Sequence, residues 1–319
     1  MVLLLQYTLI FASVLLLVAL GGCVSEHSGV INLGLEGIMV MGALGGALVM
    51  RFVPYSSATA GFGERILMFL LVFLASVALG MLFSMLLAVA SVSFKADQTI
   101  VGTAMNLLGT ALATVVVKSM NTAINPNDHS SEISYIEPKK AFLSNIGKFE
   151  LNWFVVVAVV MLVICFIMLY KTRFGLRLRA CGEHPQAADS VGINVYKMRY
   201  LGVLISGFLG GLGGITYITA GVSVWKFENG VAGFGFLALA VMIFGAWHPF
   251  KIAGAAVLFG MFRALGNVYN GIGFLKDLKI PSAVYLMLPY IVSLIVLAFT
   301  SKNSKAPKAE GIPYDKGQR

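Results

Sequence analysis

Charge is scarce in this sequence. Asp, Glu, Lys and Arg make up 12% of its 319 residues, and acids number 14 against 23 Lys and Arg. A chain so poor in charge, 58% hydrophobic with mean hydropathy +0.88, carries more apolar surface than a soluble core of this length hides. Lipid must therefore solvate part of it. With three cysteines, at 23, 165 and 181, no disulfide framework or metal spacing is expected. The four histidines, at 27, 129, 184 and 248, lie far apart and form no ligand cluster. No G-x-x-x-x-G-K-[ST] phosphate loop occurs, so the chain does not cradle ATP in that way. H-E-x-x-H and G-x-S-x-G are also missing. The expectation is a non-catalytic protein that binds no metal or cofactor of its own.

What the sequence does have is apolar length. Charge-free runs able to cross a bilayer cover Met1–Ser25, Ile66–Phe94, Gln98–Val117, Leu151–Tyr170, Tyr200–Trp225 and Ile280–Ser301. Three shorter or interrupted candidates join them: Ile31–Arg51, which holds Glu36, then Phe234–Trp247, and Ile252–Val268, which holds Arg263. The count is nine crossings, within a range of eight to ten. The fold class is an all-α, polytopic integral membrane bundle with at least one broken or Gly-interrupted helix. "LVALGGC", ending at Cys23, looks like a lipoprotein cleavage box. A signal peptide wants a positive start, however, and the first charge here is Glu26, so residues 1–24 are expected to remain as the first span.

The sparse charges are unevenly placed. Segment 171–199 carries Lys171, Arg173, Arg177, Arg179, Lys197 and Arg199 against Glu183 and Asp189. Residues 302–319 form a basic tail with Lys302, Lys305, Lys308, Lys316 and Arg319. Stretch 118–150 balances four basic with four acidic residues. The positive-inside rule puts 171–199 and the C-terminus in the cytoplasm, and 118–150 outside as an extracytoplasmic loop. Residues 1–301 are then one transmembrane domain. A basic excess of this kind orients a chain and touches lipid headgroups; it calls for no nucleic acid.

Two stretches carry more than orientation. In "RACGEHPQAADSVGINV", Pro185 suits the first turn of a helix, "PQAADSV" gives about two turns, and Gly192 supplies the stop. Ala187, Ala188 and Val191 are expected on one face, with Gln186, Asp189 and Ser190 turned away. So short a helix is not stable alone, and it reads either as a docking element or as a loop held on the headgroups. In "SGVINLGLEGIMVMGALGG" (28–46), Asn32 and Glu36 stand four residues apart inside an apolar crossing. An acid at membrane depth is costly and usually faces protein or a water-filled route. Glu36 therefore either lines a substrate path with Asn32, or caps a broken helix for structure alone. Asn106, mid-span in "GTAMNLLGT", is a third candidate lining residue, or bonds a neighbouring helix.

These residues also carry a resemblance. "RACGEHPQAADSVGINV" resembles the cytoplasmic coupling segment of ABC-importer permeases of the ribose, branched-chain amino acid and nucleoside type. "GVINLGLEGIM" most resembles the nucleoside branch. The resemblance covers residues 26–300 and is strongest at 28–46 and 179–260. It implies that Glu183, His184, Pro185, Ala187, Ala188, Val191 and Gly192 form the segment that enters a cleft on an ATPase subunit; His184 stands where the family more often has Asn. It further implies ATP and Mg bound by that partner, a second permease subunit completing a heterodimer, and an extracytoplasmic substrate-binding lipoprotein. Alternating access with purine nucleosides as cargo is the first expectation; riboflavin or a simple sugar on the same machinery is the alternative. An ion-coupled carrier would need more intramembrane acids and bases than Glu36 and Arg263.

"GFLGGLGGITYITAG" (207–221) spaces Gly207/Gly211 and Gly210/Gly214 by four, which suits close helix packing. Trp225 and Phe227 are expected at the outer membrane interface, and Trp247-His248-Pro249 as a tight turn.

Overall fold

Leu15 to Leu20 place no polar side chain on any face, and a helix apolar all round belongs inside a bundle. That is where α1 (Val2–His27) lies: Val14, Leu15, Leu17, Val18, Ala19 and Leu20 are fully buried. The computed structural model describes residues 2–147, 149–221, 225–269, 281–300 and 305–317. After α1 come α2 (Leu35–Phe52), α3 (Phe62–Ala88), α4 (Gln98–Ile124), α5 (Trp153–Lys171), α6 (Arg173–Glu183) and α7 (Pro185–Ser190). Then follow α8 (Val195–Thr216), α9 (Phe234–Phe244), α10 (Pro249–Val268) and α11 (Ser282–Thr300). Among the described residues eight helical segments are long and apolar enough to cross a membrane, and α11 adds a further apolar helix, in keeping with the nine crossings expected. The ends of the expected Ile280–Ser301 crossing lie outside the described residues. A small antiparallel hairpin, β1 (Leu143–Ile146) with β2 (Phe149–Asn152), stands in the hydrophilic connection between α4 and α5 and pairs Leu143 with Asn152. It is a departure from helix at the edge of an all-α bundle.

The helices sort into an inner and an outer set. α1, α2 and α8 are mostly buried, whereas α3, α4 and α5 turn Leu70, Leu74, Leu82, Leu107, Val115 and Val159 outward, as lipid-facing helices do. The glycines of α8 let it come backbone to backbone with two neighbours. Gly207 and Gly211 face α3, and a Cβ on Gly211 would lie 2.5 Å from the Ser76 carbonyl oxygen. Gly210 and Gly214, on another face, meet Ile38 and Met39 of α2. The spacing of four read from the sequence is the spacing of these two contacts.

The bundle has two unlike ends. One, the basic end, carries α6, α7, the close of α1 and the turn before α10, where Ala246 and Trp247 adopt φ of 49° and 55°. The other, the loop end, carries 53–61 and 125–152, held together by Ser57 donating to Glu137 at 2.6 Å and by Arg65 donating to the Ala141 and Leu143 carbonyls. Trp225 and Phe227, expected as interface markers, are buried instead. Their rings lie 4.3 Å apart, and the Trp225 indole donates to the Gly230 carbonyl at 2.6 Å. Their segment is covered by the loop end: the Phe227 N–H donates to the Ser131 carbonyl at 3.2 Å, and Lys226 pairs with Glu132 at 3.4 Å.

A branched side chain at Gly211 therefore collides with backbone that has nowhere to go, while Gly254 of α10 has nothing within 4 Å of where a Cβ would stand. Gly211→Val is expected to destabilise by about 1–3 kcal/mol or more, and Gly254→Ala to be neutral or to stabilise by about 0.5–1 kcal/mol through helix propensity. Thermal unfolding of the two variants in detergent checks the contrast.

Candidate functional site

Two helices start in the middle of the bundle rather than at its ends. After α1 closes at the basic end the chain reverses through Gly29 (φ 91°) and re-enters as non-helical backbone up to Gly34. Irregular backbone at this depth needs internal partners, and side chains supply them. Ser25 Oγ donates to the Val30 carbonyl at 2.7 Å, and the Ile31 N–H donates to Gln98 Oε1 at 2.7 Å. The Asn32 Oδ1 accepts from Gly34 at 3.1 Å while its Nδ2 donates to Ser206 Oγ of α8 at 2.8 Å. Asn106 of α4 spans the start of α2, accepting from the Gly37 N–H at 2.9 Å and donating to the Leu33 carbonyl at 2.8 Å.

The second start is that of α9, and Glu36 joins it to the first. Glu36 lies in the opening turn of α2, yet its carboxylate reaches the opening turn of α9, accepting from Gly233 at 2.8 Å and from Gly235 at 2.7 Å. Gly233 has φ 77°, and a Cβ on Gly235 would lie 2.5 Å from the Glu36 backbone nitrogen, so the two chains cross in contact. Both helices turn their N-termini, the positive ends of their dipoles, toward one buried carboxylate. Asn32, Glu36 and Asn106, picked out singly from the sequence, thus meet at one junction. Ser206, Gln98 and the α9 backbone were not legible as their partners; Gly233 and Gly235, which flank Phe234, were the available sign.

At the basic end α7 is a single short helix with Pro185 in its first turn and Gly192 at φ 84° just beyond it. His184 occupies the N-cap without a side-chain capping bond, and the turn is held by the Ala188 N–H on the His184 carbonyl at 3.0 Å. The expected single face of Ala187, Ala188 and Val191 is split. Pro185 and Ala188, three residues apart, are buried against the chain itself, whereas Ala187 and Glu183 are exposed and Val191 is 75% exposed. The outward apolar surface is that of Ala187 and Val191.

Residues 305–317, expected as a separate basic tail, are laid across this end; residues 302–304, 318 and 319 lie outside the described residues. Lys305 and Lys308 stay exposed while Pro307, Ala309 and Tyr314, which alternate with the charges, are buried. The Ala309 N–H donates to the Gly182 carbonyl at 2.8 Å, and Arg199 donates to the Ile312 carbonyl at 2.8 Å. Tyr314 packs edge-on to Tyr196 at 5.3 Å, Lys95 pairs with Asp315 at 2.8 Å, and Lys316 stands 3.8 Å from Asp189 of α7. Tail and α7 together border a groove of about 460 Å³. Glu310 turns inward to hydrogen-bond Glu26 at the close of α1, and burial pushes its carboxyl up to about 7.

Interrupted helices that meet inside a multi-pass bundle are a recurring device of membrane transporters. Comparison with known proteins narrows the class. A family model described as the permease component of branched-chain amino acid transport systems matches residues 4–297, and the chain belongs to that family of non-catalytic ABC-importer permease subunits. It is 40% identical over 317 residues to the guanosine ABC transporter permease protein NupQ of Bacillus subtilis, covering 98% of this chain and 96% of that one. It is 40% identical over 319 residues to the nucleoside ABC transporter permease protein NupC of Lactococcus lactis, covering 97% and 96%. A second permease of that organism, the nucleoside ABC transporter permease protein NupB, is 24% identical over 320 residues, covering 96% and 83%.

Two outcomes follow from the geometry. Glu36→Ala leaves two N–H groups without their acceptor at membrane depth, at about 1–3 kcal/mol each, and Glu36→Gln keeps one acceptor but sets an amide donor against the other N–H. Thermal unfolding in detergent is expected to fall in the order wild type, Gln, Ala; equal midpoints would mean that the carboxylate does not hold the junction. For the tail, Glu310 keeps its proton up to about 7 when docked but only to 4.5 when released. Docking therefore takes up a proton, and its strength is lost as pH rises from the lower value through the higher. Hydrogen exchange of the 306–314 amides, corrected for intrinsic rate, is expected to speed up between about pH 4.5 and about pH 7 and to level off above it, and Glu310→Gln to lessen that dependence.

Proposed function

We propose that this chain is one half of the membrane channel of an ATP-driven importer of nucleosides, with purine nucleosides as its cargo. The observation that carries the reading is the end-to-end similarity, at 40% identity, to two permeases whose names specify guanosine and nucleosides. The basic end is cytoplasmic, by the excess of Lys and Arg in 171–199. The loop end then faces outward, toward a substrate-binding lipoprotein. Two different permeases of one organism, NupB and NupC, both match this chain, which favours a heterodimer with a second permease.

The power stroke comes from a partner ATPase that binds ATP and Mg. Its cleft receives the segment 183–192, with Ala187 and Val191 as the apolar contact, Ala188 and Pro185 anchoring the helix to its own chain, and Gly192 setting the turn that follows. Val195 opens α8 three residues beyond Gly192, and eleven residues further on Ser206 holds Asn32. A push on α7 thus travels along one rigid helix to the start of α2, and through Glu36 to the start of α9. Asn32, Glu36 and Asn106 act in the pathway by fixing where these two interrupted helices begin. When the junction shifts, the route opens toward one side and closes toward the other.

Reconstitution in proteoliposomes tests this. Nucleoside uptake is expected to require the ATPase and ATP; uptake by this chain alone on a proton or sodium gradient would refute the reading. Val191→Glu, which places a charge on the exposed contact and touches no buried neighbour, is expected to lower uptake at least about tenfold, the equivalent of about 1.4 kcal/mol of coupling. Membrane insertion and thermal stability should be unchanged. Normal uptake by that variant would show that α7 is not the contact.

A further inference from the structure

Arg263 has no place in the account so far. It lies in α10, which begins at Pro249 at the basic end, so fourteen residues of rise at 1.5 Å put it about 21 Å along the helix, near the middle of a hydrocarbon core of about 30 Å. Its neighbours confirm the depth. The guanidinium carbon stands 5.3 Å from the centre of the Phe234 ring, and Phe234 is the residue between the two glycines that Glu36 holds. Among the described residues no carboxylate pairs with it. Among the described residues its Nε is buried without an acceptor. Glu36 is close by, but each of its oxygens already accepts a backbone N–H. An arginine at this depth with an unanswered donor is costly in lipid and is normally turned toward a water-filled route.

The surroundings are aromatic. Tyr217 lies 5.0 Å from Phe234 and Phe11 lies 5.7 Å from it, while Tyr290 donates its hydroxyl to the Ala232 carbonyl at 3.2 Å beside the same turn. We infer that Arg263 is a cargo-recognising residue, whose paired N–H donors take two adjacent acceptor atoms of a flat, uncharged ligand passing the α2–α9 junction. Within the nucleoside reading, on which this rests, the matching ligand is a 6-oxopurine nucleoside. Its ring presents O6 and N7 side by side to a guanidinium fork, whereas adenine sets an amino donor next to N7 and offers a single acceptor.

The test uses the complete transporter, with ATPase, second permease and binding protein, in proteoliposomes, and compares guanosine with adenosine uptake. Because the binding protein is the same throughout, a change in the ratio arises in the membrane. Arg263→Gln is expected to lower guanosine uptake about tenfold with adenosine changed less than about twofold, and Arg263→Lys, which keeps the charge but not the fork, to lose most of the same preference. A folded variant with both uptakes unchanged, or both lowered equally, overturns the assignment. If the Gln variant does not fold, the Lys variant decides by the same ratio. Wild-type transporter that takes up neither nucleoside refutes the cargo reading itself, a result distinct from uptake at an unaltered ratio.

Discussion

One buried carboxylate holds two helix starts together, and much of the architecture follows from it. Backbone that leaves a helix inside a membrane must find partners in the protein, and α2 and α9 both begin there. Glu36 answers the exposed N–H groups of α9 while standing in the first turn of α2, so the positive ends of two dipoles stabilise the same charge. Asn106 and Asn32 complete the set from α4 and from the entering strand of backbone. The result is an interrupted pair of crossings fixed at one point, the arrangement by which transporters place irregular backbone beside a route.

A junction of this kind is a place where a small displacement matters. The hydrogen bonds are few and directional, whereas α8 beside them is packed through glycines against α2 and α3 and has little freedom to bend. In the proposed mechanism, force applied at the end of α8 is carried to Ser206 rather than absorbed. The tail adds to this end of the molecule: by bonding Gly182 and Arg199 and approaching Asp189, it ties the short α7 to helices that reach the core. Its protonatable contact at Glu310 weakens that tie as pH rises toward about 7.

The sequence made some of this legible and concealed the rest, for physical reasons. Long apolar runs announced the bundle because lipid imposes length and composition on any crossing. Glu36 and Asn32 stood out because polar groups are rare in such runs, and the four-residue glycine spacing of α8 translated directly into helix contacts. What could not be read was pairing. Glu36 reaches residues 197 and 199 positions away, and no local pattern in "LEGIM" names Gly233. Trp225 and Phe227 looked like exposed interface residues by type, and only the fold shows that the loop end covers them. That the tail packs on the bundle was not legible, because its lysines dominate the charge count while Pro307, Ala309 and Tyr314 between them are the residues that bury.

The central claim is that motion enters at α7 and arrives at the junction only when a partner ATPase supplies it. The three native cysteines are buried, so spin labels can be directed to Val191→Cys and Leu107→Cys, both on the surface. Distances between these labels should shift when ATP is added to the assembled transporter and stay fixed when ATP is added to this chain without the ATPase. The same shift in the isolated chain, or none in the full assembly, would contradict the account.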